Sequence, residues 1–127
     1  MTVTKDEAKK KIAQLVSKYE SLSSSQIKAF NEANTKQSFI EPLFKALGWD
    51  VDATSEVTLE ERASKGRVDY AFKLNGISQF YLEAKALKED LNKEEYIQQA
   101  VEYAYNKGVT WAVLLNFESI HVYVAQT

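Results

Sequence analysis

Cysteine is absent from the 127 residues, and histidine occurs once, at His121. The first absence removes a disulfide framework and a thiolate zinc site. The second removes a histidine-rich metal centre and a local histidine-based triad. Any metal here must therefore be held by oxygen, which favours Mg²⁺, Mn²⁺ or Ca²⁺. No apolar run approaches the roughly 20 residues that span a bilayer. The N-terminus is polar and lysine-rich with no apolar segment behind it, unlike a secretory signal, so a cytoplasmic location with no membrane partner is expected. Charge of one sign is also scarce. The formal net charge of −2 neither demands nor excludes nucleic acid, because carboxylates at a metal site offset basic residues elsewhere.

Hydrophobic residues make up 45% of the chain, enough for one compact domain. Lys5–Glu20 has helical spacing, with Ala8, Ile12, Leu15, Val16 and Tyr19 on one stripe. The serines at 21 and 23–25 end that helix and can cap a second. Asn34 and Gln37 have capping-box spacing for a further helical stretch or a restart, whose stripe is Phe39, Ile40, Leu43, Phe44 and Leu47. Pro42 should kink this stretch or mark its first turn, and Gly48 should stop it.

Beyond Gly48 the period becomes two. Val51–Leu59 reads as a strand and Glu60–Gly66 as a polar loop. Val68–Leu74 alternates, with Val68, Tyr70, Phe72 and Leu74 on one face and Asp69, Ala71 and Lys73 on the other. Asn75-Gly76 signals a turn into Ser78–Leu87. Glu94–Lys107 is a helix ended by Gly108, and Thr110–Phe117 and Ile120–Ala125 form a last hairpin. The order ααβββαββ predicts an α/β fold: a mixed sheet of about five strands flanked by helices, with Glu94–Lys107 crossing between parallel strands.

The hairpin at Asn75-Gly76 permits a register test. A strict two-residue loop would set Val68, Tyr70 and Phe72 opposite Glu83, Tyr81 and Gln79, mixing apolar and polar faces. A three-residue loop or a bulge corrects this, and Phe80, Leu82 and Ala84 then share the apolar face. The same shift gathers Asp69, Glu83 and Lys85 on the other face.

Two carboxylates on adjacent strands repel unless a cation lies between them. Mg²⁺ suits such a pair, because it takes one or two carboxylates and completes its shell with water and phosphate oxygen. Lys85, two residues from Glu83, can stabilise charge at phosphorus, and the carbonyl of Ala84 is a further candidate ligand. Taken alone, Glu-x-Lys is also a common solvated strand face.

Arg67-Val68-Asp69-Tyr70, then Tyr81-Leu82-Glu83-Ala84-Lys85-Ala86, then Gln99-x-x-x-Tyr103 resemble the PD-(D/E)xK nuclease domain. The similarity is to the N-terminal nuclease regions of type I restriction subunits and of type IIG restriction–methylation enzymes. The segments Phe39–Leu43, Leu47–Val51, Leu115–Glu118 and Val122-Tyr123 extend it, so it covers roughly Asn31 to Val124.

The resemblance implies a restriction-type endonuclease hydrolysing the phosphodiester bonds of double-stranded DNA with Mg²⁺, for which Mn²⁺ can substitute. Asp69 and Glu83, with Ala84, would hold the metal and Lys85 would be the catalytic lysine. Gln99 and Tyr103 would contact DNA or support the site. Glu41 is either an accessory ligand or a solvated surface residue, and Glu56 either approaches the metal or is an exposed strand residue. Lys36, Arg62, Lys65 and Arg67 are candidates for phosphate contact. Residues 1–127 then form one domain, with 1–30 a helical extension and 31–127 the nuclease core. Methyltransferase or translocase domains or subunits are the implied partners, and the chain reads as an N-terminal piece of a larger enzyme or a stand-alone relative. The competing expectation is an inactive nuclease-like module that binds DNA or a subunit.

Overall fold

A computed structural model describes residues 3–63 and 66–125, with side chains throughout except at 60–63, 66 and 67. Helix α1 (Lys5–Glu20) is capped by Thr4, whose hydroxyl accepts the Glu7 N–H. Helix α2 (Ser24–Ala29) starts at a full capping box of Ser23 and Gln26, as the serine cluster predicts. The following helical stretch comes in three consecutive pieces: α3 (Glu32–Thr35), a π-helical turn (Lys36–Ile40) and α4 (Glu41–Ala46). Its cap is Asn31, three residues before the expected Asn34, and Asn31 Oδ1 accepts the Asn34 N–H.

Pro42 lies in the first turn of α4. It has no N–H to offer the Ser38 carbonyl, the acceptor four residues back. That carbonyl instead accepts from Lys18 Nζ of α1 at 3.3 Å. Gly48 ends this segment at φ 104°, as expected.

The strands are β1 (Val57–Ala63), β2 (Gly66–Leu74), β3 (Ile77–Ala84), β4 (Trp111–Leu115) and β5 (Ile120–Val124), side by side in chain order. Helix α5 (Glu94–Asn106) crosses from β3 to β4, which pair in parallel; the other pairs are antiparallel. This is the expected mixed five-strand α/β sheet. The first strand departs from its expected span. It begins at Val57 and runs through Glu60–Ala63, where a polar loop was expected. β1 is an edge strand, a position where charged residues are common, and it pairs antiparallel with β2.

The register test is met by a bulge. Asn75 and Gly76, at φ 53° and 78°, form a two-residue turn between Leu74 and Ile77. The register then shifts, so that Phe72 faces Phe80 and Tyr70 faces Leu82. Gln79 is the extra residue. Phe72 and Phe80 stack with centroids 4.6 Å apart. Tyr70, Phe72, Leu82 and Ala84 pack beneath Ile40, Leu43 and Phe44, with Ile12 and Leu15 of α1 against them. On the opposite face Ala71, Tyr81 and Ala112 meet Ala100, Tyr103 and Ala104 of α5. Val68, expected beside Tyr70, joins this second cluster. The β2–β3 register ends at Tyr70 and Leu82, and beyond it simple alternation no longer assigns the faces of β2.

A Cβ at Gly76 would meet nothing within 4 Å, so its requirement is conformational. Gly76→Ala is expected to cost about 1 kcal/mol in denaturant unfolding, the penalty of a side chain at positive φ. An unchanged midpoint would refute this account of the turn.

Candidate functional site

Where the β2–β3 ladder stops, side chains take over. Asp69 and Glu83 are the next residues along the two strands, and they are 3% and 5% exposed. Glu83 Oε1 accepts from the Asp69 backbone N–H at 3.1 Å. Asp69 Oδ2 accepts from the Ala84 N–H at 2.9 Å. The two carboxylates thus clasp each other's strands. Their other oxygens face cations: Asp69 Oδ1 accepts from Lys36 Nζ at 2.7 Å, and Glu83 Oε2 lies 3.6 Å from Lys85 Nζ.

Lys85 lies over the ring of Tyr96 at 4.3 Å from its centroid. The Tyr96 hydroxyl donates to Glu89 at 2.7 Å. Glu89 consequently stays below the usual carboxylate range, through that hydrogen bond first, with Lys93 and Lys88 adding to it. Lys36 also lies 3.3 Å from Glu32, one helical turn before it. Thr35 fixes this corner. Its fully buried hydroxyl donates to the Asn31 carbonyl at 2.8 Å and accepts from the Leu87 N–H at 3.3 Å, joining α3 to the segment after β3.

Burial pushes Glu83 up to about 7, and the charge of Asp69 adds to it; Lys85 and the Asp69 N–H pull the other way and lose. For Lys36, burial alone lowers the pKa, but the hydrogen bond and charge of Asp69 with the charge of Glu32 leave it above the usual lysine value. Two buried acids and two lysines therefore form one compact charge network.

Three of the expected site residues, Asp69, Glu83 and Lys85, come together, and Lys36 joins them on Asp69 rather than facing outward. The Ala84 amide enters through its N–H. Glu41 is half-buried rather than solvated and accepts from the Tyr70 hydroxyl at 2.7 Å. Burial first, then Glu41, raises the pKa of that hydroxyl. Glu56 does not approach the acidic pair: it precedes β1 and accepts from the Asp50 N–H at 3.1 Å. Strand β1 starts later than expected, and the turn before it carries Glu56 to the Gly48–Asp52 segment. Gln99 is exposed on α5, and Tyr103 is buried edge-on against Tyr81, with centroids 5.0 Å apart. Tyr96 of α5 reaches the site through its ring beneath Lys85. The side chains of Arg62 and Arg67, and all of Lys65, lie outside the described residues. His121 is half-buried with Nδ1 3.1 Å from the Tyr123 hydroxyl, in a structural setting.

Sequence reasoning missed Glu32, Thr35 and Tyr96. The Glu32/Lys36 spacing was the one available signal, and it is common on exposed helices.

Among the described residues, no three His, Asp or Glu side chains converge as a ready-made metal cage. The donor set is two carboxylates plus main chain, which matches the few protein ligands that Mg²⁺ uses. Among the same residues no helix is long and apolar enough to cross a membrane.

No family model matches the chain. It is 30% identical over 130 residues to a type II restriction enzyme and methyltransferase of Escherichia coli, RM.Eco57I, in a match covering 91% of this chain and 13% of that protein. A fragment of a putative HsdR subunit of a type I restriction enzyme from Vibrio vulnificus shares the fold, with a TM-score of 0.62 and 25% identity over 75% of this chain and 21% of that one. The chain thus spans a small part of the length of either relative. It is thus related in sequence to part of a restriction enzyme and methyltransferase, and it has the α/β architecture of the HsdR fragment.

Proposed function

We propose that this domain is a PD-(D/E)xK nuclease that hydrolyses DNA phosphodiester bonds with Mg²⁺, working with methyltransferase or translocase parts of a restriction system. The supporting observation is the buried Asp69/Glu83 pair, whose mutual repulsion a divalent cation would relieve, with Lys85 beside it. Asp69 and Glu83 would hold the ion, with the Ala84 carbonyl as a further ligand. When bound, Mg²⁺ supplies Lewis acidity toward a phosphate oxygen and acidifies water next to it. Lys85 stabilises negative charge gathering on the phosphoryl oxygens. Tyr96 holds the lysine in place from α5.

The E. coli relative is a restriction enzyme and a methyltransferase in one. That pairing supports a role in which target recognition lies outside this domain. One observation favours a second reading, an inactive binding module: Lys36 and Lys85 already counter both carboxylates. Metal binding and cleavage separate the two. The domain should bind Mn²⁺ and nick supercoiled plasmid in Mg²⁺ but not in a chelator. Asp69→Ala should weaken Mn²⁺ binding more than tenfold in calorimetric titration. Plasmid left intact by a domain that binds neither ion favours the binding module.

A further inference from the structure

We infer that Lys36 is a built-in competitor for the metal: its ammonium occupies Asp69 Oδ1 in the metal-free protein and must leave for a divalent ion to bind. This rests on the proposed metal site and adds a gate to it. Lys36 Nζ makes a 2.7 Å contact with Asp69 Oδ1, the carboxylate oxygen not taken by the Ala84 N–H. An ammonium at that distance sits where a cation ligated by Asp69 would also draw its charge.

The contact is built from the fold. Thr35, the residue before Lys36, is fully buried and accepts from the Leu87 N–H, which ties it to the segment just after β3. Lys36 opens the π-helical turn, a wider turn that re-aims side chains and recurs at functional sites.

The same geometry lets the lysine leave. Its side chain is 15% exposed, so the site is not sealed. Glu32 Oε2 lies 3.3 Å from the same nitrogen and is 40% exposed. An ammonium displaced from Asp69 keeps Glu32 as its counterion, within the same helix. The exchange replaces one unit charge by two beside Asp69 and Glu83. It strands no charge, since Lys36 remains paired and moves toward solvent.

The test is calorimetric titration of Mn²⁺ into the metal-free chain, without DNA, for wild type, Lys36→Met, Lys36→Arg and Asp69→Ala. Lys36→Met should bind Mn²⁺ about tenfold tighter than wild type, because no ammonium need be displaced. Lys36→Arg should bind several-fold more weakly, because a guanidinium grips a carboxylate through two hydrogen bonds. The metal-free melting temperature of Lys36→Met should fall below that of wild type, and saturating Mn²⁺ should close the gap. Equal or weaker binding by Lys36→Met overturns the inference. Should that variant not fold, tighter or unchanged binding by Lys36→Arg overturns it instead. If wild type binds Mn²⁺ and Asp69→Ala does not, those results count against the gate alone. Binding by neither wild type nor Lys36→Met removes the metal site and the gate together.

Discussion

Lys85→Ala is expected to lower the single-turnover rate of Mg²⁺-dependent plasmid cleavage by about 10²–10³-fold while leaving Mn²⁺ affinity within about threefold of wild type. The asymmetry follows from where the amine stands. Its nitrogen is 3.6 Å from Glu83 Oε2, a loose ion pair rather than a tight hydrogen bond. Little ligand geometry is therefore lost when it is removed. The side chain is 12% exposed and lies against the Tyr96 ring, so its charge acts in a poorly screened pocket. Charge that grows on a phosphoryl oxygen during reaction then has a fixed positive neighbour with no reorganisation to make. Lys85→Arg keeps the charge but not the point-like ammonium, and should recover only part of the rate. Tyr96→Leu, which keeps the lysine and removes its platform, should fall between. A Lys85→Ala loss below tenfold, with the protein folded, would remove the lysine from the chemistry.

The acidic pair and its lysine were legible because the strand code is short-range. Alternation from Tyr70 to Phe72 and from Phe80 to Leu82, joined through Asn75-Gly76, fixes the two strands' register once it is corrected, and that register brings Asp69 and Glu83, the next residue on each strand, together. That correction came from hydrophobic matching, and the bulge at Gln79 supplies it. What was not legible has two causes. The far end of β1 failed because an edge strand tolerates charged residues such as Glu60, Glu61 and Arg62, which read as loop. The partners of the site failed because they are long-range. Lys36 meets Asp69 across 33 residues of sequence, and Thr35 meets Leu87 across 52. Periodicity places Thr35 and Lys36 on a helix and says nothing about which strand end that helix abuts. Tyr96 was overlooked for a related reason. Gln99 and Tyr103 enter through the family resemblance, whereas the contact with Lys85 depends on how the first turn of α5 docks beside β3.

The stability of the metal-free protein should fall as pH rises from about 4.5 to about 7, by an amount on the order of 3 kcal/mol if Glu83 dominates. The sign follows from the direction of the shift. Glu83 in the unfolded chain gives up its proton near 4.5, whereas in the fold burial and Asp69 hold it to about 7. Between those values the folded state carries the extra proton. The stabilisation is therefore complete below the unfolded value and is lost as pH rises through the folded one. Above that range the protein holds a buried carboxylate beside Asp69, with Lys85 and the Asp69 N–H acting against its burial. Glu83→Gln removes the titration and keeps an oxygen for the Asp69 N–H. Its unfolding free energy in a chelator should be nearly flat from pH 5 to 8 and should exceed that of wild type at pH 8. Mg²⁺ should act on wild type in the same direction by supplying the missing counter-charge, and should do far less for Glu83→Gln. Denaturant unfolding of both proteins at pH 5 and pH 8, with chelator or with Mg²⁺, gives all the comparisons. A wild-type stability that rises across this interval would mean that Glu83 is ionised throughout, and that the pair is already balanced without a metal.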